Sequence, residues 1–335
     1  MASLRKLLSN KTLSIEDLSY LNKLMKVNMP MNSVFDLLKT KTNKEMLDSI
    51  SSKLNEGLLI EDIIKDYLPK NIEKYITPLL KNLPFSVALD ISLSFYERQK
   101  ENEKYIISNI GYPCILLFVS LTALYLFDIF GVDTIFSIIK SFGTNLDLIN
   151  SIRNVIRIFI YIFYYGILFI TLLIFIYSRP KKIAFLYLLI SKYFPNSLIH
   201  VYYSEQFVSL LLICVDRGYK TKTSLEMLMN MKNKPIISFM AYHLDEMLLE
   251  GKTLNEASRQ TYFDINLSKF IKIGSFSNDF KAMLENYLEL AKDKIKMKTK
   301  KYTLTIQMCT YISIGLIIIF VYQILFLPMQ TLSSL

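Results

Sequence analysis

Two apolar stretches separated by a short polar loop constrain this chain more than any other feature of it. Ile110 to Phe130 carries one charge, Asp128 near its far end, and Ile158 to Tyr177 carries none over twenty residues. At 1.5 Å of rise per residue, twenty helical residues cross a hydrocarbon core of about 30 Å. Both stretches are therefore expected to be transmembrane helices. A third uncharged run, Leu304 to Leu327, follows near the end of the sequence.

The placement of Lys and Arg orients these spans, because positive loops are retained on the cytoplasmic side. Arg179, Lys181 and Lys182 follow the second run directly, and Lys292, Lys294, Lys296, Lys298, Lys300 and Lys301 precede the third. The loop between the first two runs sets Lys140, Arg153 and Arg157 against Asp133 and Asp147. The expected layout is a cytoplasmic domain over residues 1–104 and a transmembrane hairpin over 105–178, with spans at about 110–130 and 158–177 and an outer loop at 131–157. A second cytoplasmic domain over 179–303, a third span over 304–327 and an outer tail over 328–335 complete it. Asp128 falls at the outer interface, where a carboxylate costs little.

Each soluble stretch has the length of one ordinary domain. The net charge of +10 divides unevenly, with 16 basic against 14 acidic residues over 1–104 and 20 against 12 over 179–303. Most of the excess flanks the spans, which accounts for it through topology and attraction to anionic headgroups. A nucleic-acid groove would need exposed aromatics interleaved with the cations, so no nucleic-acid partner is expected. Cys114, Cys214 and Cys309 have no disulfide or metal spacing. With two histidines, His200 and His243, and no tryptophan, a zinc site or catalytic triad has almost nothing to be built from. No glycine-rich phosphate loop followed by Lys-Ser/Thr occurs, and no cofactor is implied. Carboxylates such as Glu56, Glu61, Asp62 and Asp66 read as solvated helix faces rather than a catalytic pair. Met1 to Asn10 lacks the apolar core of a signal peptide.

Glycine and proline are scarce, nine each, and apolar residues recur at helical spacing. Leu18, Leu21, Leu24 and Met25 form one stripe that ends near Asn28-Met29-Pro30, and Val34, Phe35, Leu37 and Leu38 open the next helix. A third runs through Met46, Leu47, Ile50 and Leu54 to Gly57, a left-handed C-terminal cap. A short helix at Ile60 to Ile64, one from Asn71 to about Leu80 and a long one from Phe85 follow. After the second span, Ile183 to Phe194 suits either a helix lying along the membrane interface or a continuation of the span, ended by Pro195.

The opening pattern then returns. Asn28 to Leu38 aligns with Gly218 to Leu228 at an offset of 190, Asn55-Glu56-Gly57 with Leu249-Glu250-Gly251 at 194, and Phe85 to Gln99 with Phe280 to Asp293 at 194 to 195. The expected fold is an all-α membrane protein with two repeated six-helix cytoplasmic bundles and three transmembrane helices.

These residues resemble the inner-membrane platform proteins of type IV pili and type II secretion, the PilC/GspF family, which includes the competence protein ComGB. The motif positions that carry the resemblance are Tyr112 and Pro113 opening the first span, Pro195, Phe207, Gly218, Gly57, Gly251, Gly274, and Pro328 closing the third span. The likeness runs from Leu18 to Gln330, and the short N-terminus and divergent motifs look more like the type IVb pilus platforms or like a Gram-positive version. The family's Gly-Glu dipeptide reads Gly274-Ser275 here, so no acidic or metal-binding role is carried over. Asp17 and Asn28 stand where the second half has Phe207 and Gly218.

The resemblance implies a non-enzymatic platform that couples a cytoplasmic hexameric assembly ATPase to the extraction of pilin or pseudopilin subunits and their assembly into a fibre. It also implies other inner-membrane assembly proteins, a second copy of the chain and membrane lipid as partners, in the bacterial inner membrane. A transporter or channel subunit is the alternative reading, with Asp128, Gln307 and Gln323 as the polar groups at membrane depth. The charge asymmetry predicts an inside N-terminus and an outside C-terminus. Alkaline phosphatase should be inactive when fused after Ile60 and active when fused after Leu335; the reverse pattern refutes the orientation.

Overall fold

In the computed structural model, residues 12–27, 29–40, 43–133, 147–176, 180–194, 196–231, 233–277 and 279–333 are described. They are helical, with no strand among the described residues. The chain divides into two compact units, Met1–Asn102 with Pro180–Lys292 and Glu103–Arg179 with Asp293–Leu335.

The first unit opens with α1 (Ile15–Lys26), α2 (Met31–Leu38), α3 (Lys44–Asn55), the short α4 (Ile60–Ile64) and α5 (Lys70–Leu79). Ser14 starts α1 with a reciprocal cap: its Oγ accepts from the Asp17 amide at 3.0 Å and its own amide donates to Asp17 Oδ2 at 3.2 Å. Two otherwise orphaned donors are satisfied in this way. Leu18, Leu21, Phe35, Leu47, Ile50 and Ile76 are buried, each such side chain contributing about 1.5–3 kcal/mol. Helix α6 (Phe85–Leu126) begins in this unit and continues into the second.

The rest of the first unit is α8 (Pro180–Tyr193), α9 (Leu198–Asp216), α10 (Thr221–Met229), α11 (Pro235–Leu249), α12 (Leu254–Ala257), α13 (Ile265–Ser277) and the start of α14 (Phe280–Ser333), with α7 (Asp147–Ile176) belonging to the second unit. Three helices end alike, on glycines with φ of 86°, 79° and 83° at Gly57, Gly218 and Gly251. After α3, the amides of Gly57 and Leu58 return to the carbonyls of Leu54 and Lys53, at 3.0 and 3.2 Å. The amides of Gly218 and Tyr219 return in the same way to Val215 and Cys214 after α9, and those of Gly251 and Lys252 to Leu248 and Met247 after α11. This double return satisfies carbonyls left bare by the last turn, and it requires a left-handed residue.

Three helices among the described residues are long and apolar enough to cross a membrane: Phe85–Val132, Leu198–Asp216 and Phe280–Ile319. Their apolar stretches are 28%, 61% and 11% buried respectively. A helix apolar all round is either a span or the centre of a bundle. The burial of α9, with Ser204, Glu205, Gln206 and Ser209 enclosed along it, makes it the centre of a bundle. Helix α7 is uncharged from Ile158 to Ile176.

The second unit is held by small polar side chains. Pro113 sits inside α6 and has no amide, which leaves the carbonyl four residues back without its helical donor. That carbonyl, on Asn109, accepts instead from Thr303 Oγ1 of α14 at 3.4 Å. Further along, Ser120 Oγ meets Ser313 Oγ at 2.8 Å, and Thr122 Oγ1 of α6 meets the Tyr164 hydroxyl of α7 at 2.9 Å. Serine and threonine bonds of this kind substitute for the hydrophobic effect, which gives helices in lipid no reason to associate. Where α6 ends, a wider helical turn runs over Phe127–Val132.

A Cβ placed on Gly251 meets nothing within 4 Å, so the cost of replacing this glycine lies in its backbone angle alone. Gly251→Val should destabilise the chain by about 1–2 kcal/mol. An unchanged melting temperature would show that the turn relaxes without cost.

Candidate functional site

Among the described residues the motif positions sit on separate elements of the two units. Tyr112 is exposed, and Pro113 beside it is buried. Phe207 is buried edge-on against Phe263, ring centroids 5.3 Å apart. A Cβ on Gly274 would come within 3.0 Å of Met283, so this glycine permits the close approach of α13 to α14. Pro328 lies within α14, and Pro195 lies outside the described residues.

The chemically distinctive region is a polar seam inside the first unit, where helices of the 1–102 segment meet those of the 180–292 segment. Its first element is Asp90 on α6, 5% exposed. Asn22 and Lys26, one turn apart on α1, reach its Oδ1 at 2.8 and 2.7 Å. Arg217, at the C-terminal cap of α9 immediately before Gly218, pairs with Oδ2. A buried carboxylate is tolerated when it is matched by cations and hydrogen bonds in this way. The glycine turn after α9 thus places the guanidinium that ties the two segments together.

About three turns back along α9 from Arg217 is Glu205, 2% exposed, with Arg98 Nε of α6 at 2.9 Å from Oε1. Burial pushes its carboxyl up to about 7, against the opposing pull of the Arg98, Lys292 and Asn102 side chains. Next to it, Gln99 Oε1 accepts from the Tyr75 hydroxyl at 2.9 Å and from Lys234 Nζ at 2.8 Å. Lys234 crosses from the N-terminal cap of α11 and stands 5.4 Å over the Tyr75 ring and 5.9 Å over Phe95. Those two rings pack edge to face at 5.1 Å. The cation is held by ring faces as well as by amide oxygens.

A second buried charge cluster belongs to the second unit. Asp128, in the turn after α6, is 2% exposed. Arg153 Nε and Arg157 Nε, from α7, each approach it at 2.6 Å, and Arg153 Nη2 also reaches Asp133 at 2.7 Å. Asp128 is therefore enclosed rather than lying open at an interface, because two of the cations of the intervening loop region fold onto it. These contacts clasp the end of α6 to the beginning of α7.

Sequence reasoning passed over Asp90, Glu205 and Lys234. An acid isolated in an apolar run, as Glu205 is in Val201–Val215, is the signal that points to a buried partnered charge. Among the described residues, no group of three His, Cys, Asp or Glu side chains is placed to hold a metal ion. The three cysteines are free. The seam offers fixed charges and a carboxyl poised near neutrality, an arrangement suited to holding helices in register.

The family model for type II secretion system (T2SS), protein F matches residues 207–328. No curated protein matches the chain.

Because the folded Glu205 carboxyl sits above its ordinary value of 4.5, the folded chain binds this proton more tightly than the unfolded chain. Its contribution to stability is full below about 4.5 and is lost as pH rises through about 7,. Relative to Glu205→Gln, the wild-type chain should lose up to about 3 kcal/mol between these limits. Melting temperatures of the two proteins measured from pH 5 to pH 8 should converge at the acid end and separate at the alkaline end. Parallel curves would contradict the assignment.

Proposed function

With a type II secretion system protein F domain over residues 207–328 as the premise, we propose that the chain is an assembly platform. It couples a cytoplasmic hexameric ATPase to the extraction of pilin-like subunits from the inner membrane and to their assembly into a fibre. Platform proteins of this family are structural rather than catalytic, and the apolar helices together with this domain fit an inner-membrane protein. The N-terminus is inside, the C-terminus outside, and the working form is a homo-oligomer among other inner-membrane assembly proteins.

The observation that carries the mechanical part of this reading is α14, one helix of 54 residues from Phe280 to Ser333. At 1.5 Å per residue it is about 80 Å long. It enters from the α13 turn, carries the Lys292 to Lys301 cluster, and continues through the apolar run from Leu304. Glycine does not interrupt it before Gly315, and proline not before Pro328. A displacement imposed on its cytoplasmic end by the ATPase is passed along it without a joint in which to dissipate.

A repeated design supports the same reading. The order α1 to α6 parallels the order α9 to α14, with Gly57 ending α3 and Gly251 ending α11. Each series closes on a helix that extends into the second unit. In a platform of two six-helix bundles, each bundle drives its own span. The motif residues Phe207, Gly218, Gly251 and Gly274 then act as the structural fixtures of the second bundle.

Inserting Gly-Gly-Ser-Gly between Lys298 and Thr299 should abolish fibre assembly or secretion while membrane insertion and ATPase capture persist. Normal assembly by cells carrying the insertion, or ATP hydrolysis by the purified chain alone, would overturn the mechanism.

A further inference from the structure

Helix α8 presents two unlike faces. Tyr187 and Ser191 are buried in the first unit, and the Tyr187 hydroxyl donates to the Tyr262 carbonyl at 2.5 Å. On the other side, Phe185, Leu189 and Tyr193 recur every four residues and are 57%, 43% and 66% exposed, with Phe194 next to them at 67%. Lys182 and Lys192, both exposed, stand near the two ends of this apolar stripe. Two residues beyond Phe194, Asn196 lines a cavity of about 520 Å³. Arg259, Lys269 and Lys272 share its wall with Phe263, and its lining includes no carboxylate.

We propose that the exposed face of α8 and the adjoining basic cavity form a docking surface for anionic phospholipid of the bilayer that α7 crosses. The aromatic and aliphatic stripe enters the interface, and the three cations receive a lipid phosphate. Chain connectivity favours this occupant. Pro180 opens α8 four residues after Ile176 closes α7, and four peptide steps reach about 14 Å at most. The start of α8 is therefore held within about 14 Å of the point where α7 ends. An amphipathic helix with bulky apolar residues on one face and lysines at its margins binds in the headgroup layer. A second copy of this chain, with a net charge of +10, would meet the cavity with like charge overall. The inference rests on the membrane reading of α7, and the following experiment separates the two.

The chain has no tryptophan, so single-tryptophan variants report position directly. The full-length F194W, F169W and Y20W variants are reconstituted in bilayers containing brominated phospholipid. Residues 169 and 20 lie on α7 and α1, at 61% and 56% exposure. F169W and F194W should both be quenched, F194W as expected for a ring at the acyl boundary, and Y20W should not. F169W quenched with F194W unquenched overturns the docking surface while sparing the span; F169W unquenched sinks both. A blue-shifted F194W emission that brominated lipid leaves unchanged means that another protein surface covers the stripe, which also refutes the proposal. In the F194W background, R259Q, K269Q and K272Q should each lower the preference for phosphatidylglycerol over phosphatidylcholine by about fivefold, as expected for loss of one cation near an anionic surface. A triple variant that keeps the wild-type preference removes the cavity from the assignment.

Discussion

A charge taken out of water has to be met by another charge or by hydrogen bonds, and both units of this protein are organised around that requirement. In the first, Asp90 draws in Asn22, Lys26 and Arg217, so one carboxylate gathers α1, α6 and the end of α9. In the second, Asp128 draws in Arg153 and Arg157 and clasps α6 to α7. Apolar packing supplies most of the stabilisation but specifies register weakly, because leucines in helical stripes can slip against one another. A buried ion pair resists such slippage because leaving either partner alone costs several kcal/mol.

Much of the architecture was legible in the sequence because helical periodicity and helix punctuation are local properties. The stripe from Leu18 predicts α1, the short run at Ile60 to Ile64 predicts α4, and the long charge-free runs mark α6 and α14 as membrane-capable. The glycines after α3, α9 and α11 stand where a left-handed turn is needed, a demand that a single residue type announces.

The seam was not legible, for an equally physical reason. Asp90 and Arg217 lie 127 positions apart, Gln99 and Lys234 lie 135 apart, and nothing in the local pattern says which distant side chain will answer a buried charge. Helix α9 shows the limit from the other side. By length and composition it could be a span, and only its enclosure by neighbouring helices makes it the middle of a bundle. The same ambiguity hid Asp128, whose cost depends on two arginines that sequence counting had assigned to topology alone.

The Pro113 substitution of one hydrogen bond for another sets a rule for movement. The Asn109 carbonyl is served by the Thr303 hydroxyl of a different helix, so α6 and α14 are keyed together as a shaft is to a hub. Sliding or rotating one past the other would strip that carbonyl of its donor and leave a helical carbonyl unsatisfied, which costs about 1–3 kcal/mol where it is buried. The contact therefore favours moving the two helices as a pair over sliding one alone.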